Sequence, residues 1–203
     1  MTPEPTHFLV IDVEATCDDR GSVPKSDMEI IEIGAVLVDA ASLEPVAEFQ
    51  SFVRPVRHPA LTRFCTTLTT ITQRDVEGAP DFSEALDALR RFIGDRDALF
   101  TSWGQYDANQ FAADAFHHRV SLPFRGRHLN AKQRFSDALG ETKKFGMVDA
   151  LERVGLPLAG THHRGIDDAR IIARLLPWAF GRTAAPRSGA RSAPARRSGS
   201  ARR

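Results

Sequence analysis

The chain opens with a continuous apolar run, Phe8-Leu9-Val10-Ile11, which passes directly into Asp12-Val13-Glu14. Such a run reads as a central strand buried on both faces. Ile30–Val38 is a second apolar stretch rich in β-branched residues, and Ala47–Val53 reads as a third strand ended by Arg54-Pro55. Three strands joined by short links predict an antiparallel meander. The period then changes. Asp81-Phe82-Ser83-Glu84 has the spacing of a helix start, and Ala85, Leu86, Leu89, Phe92 and Ile93 follow at helical intervals. Ala98-Leu99-Phe100 predicts a short strand leading through Ser102-Trp103-Gly104 into a helix that carries Ala108, Phe111, Ala112 and Ala115. Further helices are expected over Ala131–Leu139, Met147–Val154 and about Asp167–Phe180. Strands first, then helices alternating with strands, predict an α/β fold with a mixed sheet flanked by helices.

Composition narrows this picture. A chain of 203 residues, 42% hydrophobic and 26% charged, suits one globular domain with a sizeable core. No apolar run approaches the roughly 20 residues of a membrane span, and Met1–His7 lacks the apolar centre of a secretion signal. Cys17 and Cys65 are too few for a disulfide framework or a zinc site, so reduced thiols and a cytoplasmic location are expected. The net charge of +1 conceals an asymmetry. Residues 182–203 hold seven arginines and no acid, leaving 20 basic and 26 acidic residues in Met1–Gly181, a net of −6. Residues 1–6 and the 182–203 tail are expected to be disordered around a folded unit of 7–181. The tail either attracts phosphate backbones or is simply solvated.

Three acidic positions disturb the pattern. A period of two puts Asp12 and Glu14 on one face of the first strand, where unpaired buried carboxylates are expensive and a divalent cation would compensate them. Alternatively the strand ends at the surface and both acids are solvated. Asp107, between a predicted strand and helix, reads by itself as a helix N-cap, a position Asp favours, with a ligand as the alternative. In Thr161-His162-His163-Arg164-Gly165-Ile166-Asp167-Asp168, helical periodicity separates the two adjacent acids. Asp168 shares the core-facing side with Ile171, Ile172, Leu175 and Leu176, whereas Asp167 aligns with Arg170 and Arg174 on the polar side, where ion pairs are expected. Asp168 is therefore the functional candidate. Periodicity cannot choose between His162 and His163, which precede the helix.

Together these residues resemble the DEDDh 3′–5′ exonucleases, relatives of ribonuclease T and of proofreading subunits. The motifs of that family are Asp-x-Glu, an Asp at a strand–helix junction, and His-x4-Asp; here they are Asp12-x-Glu14, Asp107 and His163-x4-Asp168. A narrower resemblance, to the group that trims histone messenger, ribosomal and small interfering RNAs, covers most of Phe8–Leu176. It is carried by Phe8–Cys17, Glu29–Gly34, Phe64-Cys65, Leu68-Thr69, Ile71–Gln73 and Ser102–Asp107. The resemblance implies a ribonuclease-H-like fold, a five-stranded mixed sheet with helices on both faces. It also implies metal-dependent hydrolysis of the terminal phosphodiester of single-stranded RNA, releasing nucleoside 5′-monophosphates.

In that reading Asp12, Glu14, Asp107 and Asp168 hold two Mg²⁺ ions, with Mn²⁺ tolerated, because the donors are hard oxygens. His163 is the general base, selected over His162 by the family spacing. Ala15, Thr16, Phe64, Thr69 and Ile71 are implied around the terminal nucleotide. The sequence departs from the family at Thr70, where glycine is usual. Two other readings are the same chemistry on DNA ends, and a catalytically silent nucleic-acid-binding protein; the second would be marked by a lost carboxylate or histidine, and none of the five is lost.

Overall fold

The computed structural model describes residues 4–124 and 126–186. Its sheet has five strands in the order β3-β2-β1-β4-β5: β1 His7–Ala15, β2 Ile30–Asp39, β3 Pro45–Phe52, β4 Ala98–Ser102 and β5 His128–Asn130. The first three form the expected antiparallel meander, and β4 and β5 add in parallel on the other side of β1. The seven helices of the described residues are α1 Arg63–Thr69, α2 Gln73–Glu77, α3 Phe82–Ile93, α4 Tyr106–His118, α5 Ala131–Ala138, α6 Met147–Val154 and α7 Gly165–Ala179. Among the described residues no helix is long and apolar enough to cross a membrane.

Alternation along β1 sorts its side chains between two layers. Leu9, Ile11 and Val13 pack with Leu86, Leu89 and Phe111 of α3 and α4 on one face. Phe8 and Val10 pack with Ile166, Ala169, Ile172 and Leu176 of α7 on the other. The sheet is thus covered on both sides, as the family resemblance implies. Asp12 and Glu14 continue the even-numbered series, so they point into the α7 layer just where its apolar contacts stop.

The approach of α7 to the sheet is set by two residues without side chains. A Cβ on Gly34 of β2 would lie 2.1 Å from the backbone carbon of Gly165, and one on Gly165 would lie 2.9 Å from the Asp12 carbonyl oxygen. Backbone meets backbone here, which only glycine permits.

Some local expectations change. Asp81 caps α3 as predicted, its carboxylate accepting from the Glu84 N–H at 3.0 Å while the Glu84 carboxylate accepts from the Asp81 N–H at 2.9 Å. On α4, however, Ala112 is exposed and Asp114 is buried. Asp114 accepts from the Ile30 N–H at 2.8 Å and pairs with Arg57 at 3.0 Å, which satisfies a carboxylate at the helix–sheet junction. Arg174 reaches the Pro157 carbonyl instead of Asp167. Residues flanking the expected unit of 7–181 make hydrogen bonds with it. Thr6 donates its N–H to the Asp97 carbonyl, the Arg182 guanidinium reaches the Ala41 carbonyl, and Arg153 reaches that of Pro186 at 2.8 Å. The expectation of disorder in 187–203 lies outside the described residues.

Candidate metal centre and active site

Donor oxygens of Asp12, Glu14 and Asp168 lie within 4.8 Å of one another. The two strand acids arrive by alternation, and Asp168 arrives from the first turn of α7, 2% exposed. The face argument made from sequence holds: Asp167 lies outside this cluster, accepting from Arg170 at 2.9 Å and from the Thr161 N–H at 2.8 Å.

Asp107 is not the cap of α4. Gln105 occupies that position without a side-chain bond, and Asp107 stands in the first turn, 4% exposed, with its Oδ1 accepting the Val13 N–H at 3.1 Å. It is therefore tied to β1 between Asp12 and Glu14, as a flank to the three converging carboxylates. Ser102, at the end of β4, helps to hold its charge.

The electrostatics are those of an acid cluster without counter-charge. Burial, then repulsion from Asp107 and Asp168, raises Asp12 well above the usual carboxylate range. Burial and the charges of Asp168, Glu32 and Asp107 push Glu14 up to about 8. Burial raises Asp107 and Asp168 as well, against hydrogen bonds from Val13 and from His162 respectively. Four carboxyl groups that resist ionising together, offering only hard oxygen donors, fit one or two small divalent cations and do not fit a thiophilic metal.

The histidines are arranged differently from what the family spacing suggests. His162 places Nδ1 at 3.1 and 3.2 Å from the two Asp168 oxygens, whereas His163 donates its backbone N–H to Asp168 at 3.0 Å. The two rings stack with centroids 4.0 Å apart, and His163 takes the left-handed backbone conformation at φ 62°. Both rings therefore belong to the site. Burial and the neighbouring His162 lower the His163 pKa, which favours the neutral, proton-accepting form.

The residues implied around the terminal nucleotide divide. Phe64 is 38% exposed and lines an open cavity of about 620 Å³ with Arg20, Thr62, Arg63 and Thr67. The other four do not present their side chains. Ile71 is fully buried with Ile31, Cys65 and Val76. Thr69 spends its hydroxyl on the Cys65 carbonyl and the Ile71 N–H. Thr16 bonds Glu29 through both N–H and hydroxyl, and Ala15 is 4% exposed within β1.

Two residues escaped the sequence reading. From sequence Tyr106 and Trp103 are both expected only to pack, yet Tyr106 is 49% exposed beside the carboxylates, and partial burial with the charges of Glu14 and Asp107 raises its phenol. Trp103, read the same way, does pack, against Phe135, with its indole N–H on the Phe145 carbonyl. Glu32 is the second omission. It is wholly buried, opposite Glu14 in the β1–β2 register. Its cross-strand position was the available signal.

Comparison with known proteins gives this geometry a lineage. The exonuclease family model named for RNase T matches residues 9–176, a span that includes every acid and histidine of the site. The chain belongs to this exonuclease family. Within it, "ERI1 exoribonuclease 3" of Mus musculus is 32% identical to this exonuclease-family chain over 180 residues, covering 84% of the chain and 52% of that protein. The chain thus spans about half the length of that relative. "Probable 3′-5′ exonuclease KapD" of Bacillus subtilis is 30% identical over 163 residues, covering 80% of the chain and 78% of that protein. Among solved structures, the nuclease domain of 3′hExo, described as a DEDDh family member bound to rAMP, superimposes with a TM-score of 0.79 at 28% identity. The match covers 85% of this chain and 90% of that one. A 3′-exonuclease described in 3′-end-specific recognition of a histone mRNA stem-loop gives 0.81 at 26%, over 88% and 64% of the two chains. The ribonuclease-H-like exonuclease fold is shared throughout, and the DEDDh exonucleases are metal-dependent, in keeping with the acid cluster.

Proposed function

We propose that this chain is a 3′–5′ exoribonuclease that removes nucleoside 5′-monophosphates from single-stranded RNA ends. The observation that carries this reading is the convergence of Asp12, Glu14 and Asp168 within 4.8 Å, flanked by Asp107 and the two histidines. RNA is favoured over DNA because relatives at 30% identity or above include named exoribonucleases. Asp12, Glu14 and Asp168 would hold one Mg²⁺, with Asp12 also facing a second near Asp107. Bound divalent cations would supply neutralisation of the phosphodiester charge and Lewis acidity toward its oxygens.

The residues themselves do the rest. His163, neutral at physiological pH, takes a proton from the attacking water, and Asp168 fixes the loop that presents it by accepting from its N–H. His162, anchored on Asp168, supports the His163 ring through their stack. Phe64 offers an exposed ring for sequence-tolerant stacking with a base, and Ala15 and Thr16 place backbone groups at the end of β1.

The test uses full-length protein with free and 3′-blocked oligonucleotides, as RNA and as DNA, in Mg²⁺ or chelator. Stepwise mononucleotide release from free RNA ends in Mg²⁺ only is expected. Equal release from DNA would remove the RNA assignment, and binding without cleavage would remove the enzyme assignment.

A further inference from the structure

Glu32 is a fully buried carboxylate beside the site that the chemistry above does not use. It reaches from β2 to the start of α7. One of its oxygens accepts the Arg164 Nε–H at 3.1 Å and the Gly165 N–H at 3.0 Å; the other accepts from Gln50 at 2.6 Å and from Arg164 Nη2 at 3.4 Å. Arg164 is the N-cap residue of α7 but makes no side-chain cap bond of its own. Of the free N–H groups at this helix start, that of Gly165 is met from the sheet by Glu32, while Asp168 accepts the N–H of His163 in the loop just before it. The Arg164 guanidinium also lies over the Phe52 ring of β3, 5.4 Å from its centroid.

Glu32 thereby grips Arg164 and Gly165, the two residues that separate His163 from the α7 turn bearing Asp168. It does so from the strand position opposite Glu14. Arg164 pairs with this carboxylate at 3.1 Å and offsets part of its charge, the remainder of which still bears on Asp12 and Glu14.

We propose that Glu32 and Arg164 are positioning residues for the metal centre, fixing Asp168 and the His162–His163 loop against Asp12 and Glu14. The inference rests on the exonuclease reading of the same site. Neither residue touches substrate. Their effect runs through the placement of the acids, so it falls on cation affinity and turnover and leaves the oligonucleotide KM alone. Outer hydrogen-bond partners of metal ligands are typically worth about 10–100-fold in affinity or activity.

The experiment compares wild type, Glu32→Gln and Arg164→Lys as full-length proteins. Glu32→Gln keeps the side-chain shape but loses the charge; Arg164→Lys keeps the charge but loses the fork that bonds both oxygens. Three quantities are read: Mn²⁺ binding by the paramagnetic resonance of the free ion, kcat and KM on a free-ended RNA oligonucleotide, and melting temperature. Mn²⁺ binding weakened about 10-fold or more in both variants, with kcat lowered and KM within about two-fold of wild type, is the expected result. Should Glu32→Gln fail to fold, Arg164→Lys decides, because Arg164 is 24% exposed at its side chain and tolerates replacement. Wild-type Mn²⁺ binding and kcat in a folded Arg164→Lys or Glu32→Gln variant overturns the inference, as does loss of kcat only in proportion to loss of folded protein. If wild type itself binds Mn²⁺ but releases no nucleotide, the exonuclease reading fails, while the Mn²⁺ comparison still judges the positioning role.

Discussion

The acid cluster makes the stability of the cation-free protein fall as pH rises. Glu14 ionises near 8 in the folded chain against an ordinary 4.5, so between those values the folded state holds a proton that the unfolded state has released. Stability then declines with rising pH across that window. His163 and His128 act in the opposite sense, because burial lowers both, but only below their ordinary 6.5. From pH 6.5 to 8 the carboxyl contribution stands clear of them. One pH unit corresponds to about 1.4 kcal/mol, so Glu14 alone costs the cation-free fold about 2 kcal/mol over this range. Asp12, also raised, adds to it. For a chain of this size that is a fall of about 4–8 °C in melting temperature. The Cys65 thiol, drawn down to about 7 by the Cys17 thiol beside it, opposes the trend in the upper part of the window. The measurement is therefore a difference: melting temperature in Mg²⁺ minus that in chelator, in matched buffers at pH 6.5, 7.25 and 8. The gap should widen with pH, since the cation removes the carboxyl penalty and leaves the thiols as they were. A gap that stays constant or narrows refutes the argument that these buried acids lack any other counter-charge.

Four substitutions probe other links. Asp168→Asn should abolish nucleotide release while Asp167→Asn leaves it largely intact, measured as rates on one RNA oligonucleotide; the reverse pattern would show the wrong acid on the sheet side. Thr70→Gly should stabilise the fold by about 0.5–1 kcal/mol in urea. The β-branched Thr70 caps α1 at φ 62°, a left-handed conformation costing about 1–2 kcal/mol, which exceeds the extra unfolded-state freedom that glycine brings. An unchanged or lowered midpoint would contradict this. Gly34→Ala should cost about 3 kcal/mol or more and abolish release, because its Cβ would lie 2.1 Å from the Gly165 backbone; wild-type melting and rate would show that α7 can yield.

What could be read from the chain follows from length and period. β1, β2, β3, α3 and α7 are long enough for alternation or helical spacing to show, and the same periodicity put Asp168 on the buried side and Asp167 on the side paired with Arg170, as the structure has them. β5 has three residues and α1 and α2 have seven and five, too short for a period to emerge, so only the family resemblance anticipated the fifth strand. Asp107 misled one of its two readings because an Asp near a helix start favours capping by default, whereas its backbone partner lies 94 residues away on Val13. The histidine arrangement is of the same kind. Spacing from Asp168 singles out His163, but which ring meets the carboxylate depends on the left-handed turn at His163, a feature local sequence does not announce. Thr69 and Ile71 are placed beside the terminal nucleotide by the resemblance alone; in the fold the Thr69 hydroxyl bonds the Cys65 carbonyl and Ile71 is buried with Ile31, Cys65 and Val76.

The bare contact between Gly34 and Gly165 has a bearing on anyone who would move or redesign this centre. The gap between helix and sheet is defined by matter that is missing, so no graft of the acids and histidines alone would reproduce it. A host scaffold would have to bring its helix as near before grafted acids could meet. Two hydrogen atoms standing where methyl groups would otherwise sit are, in that sense, as much a part of the centre as any carboxylate.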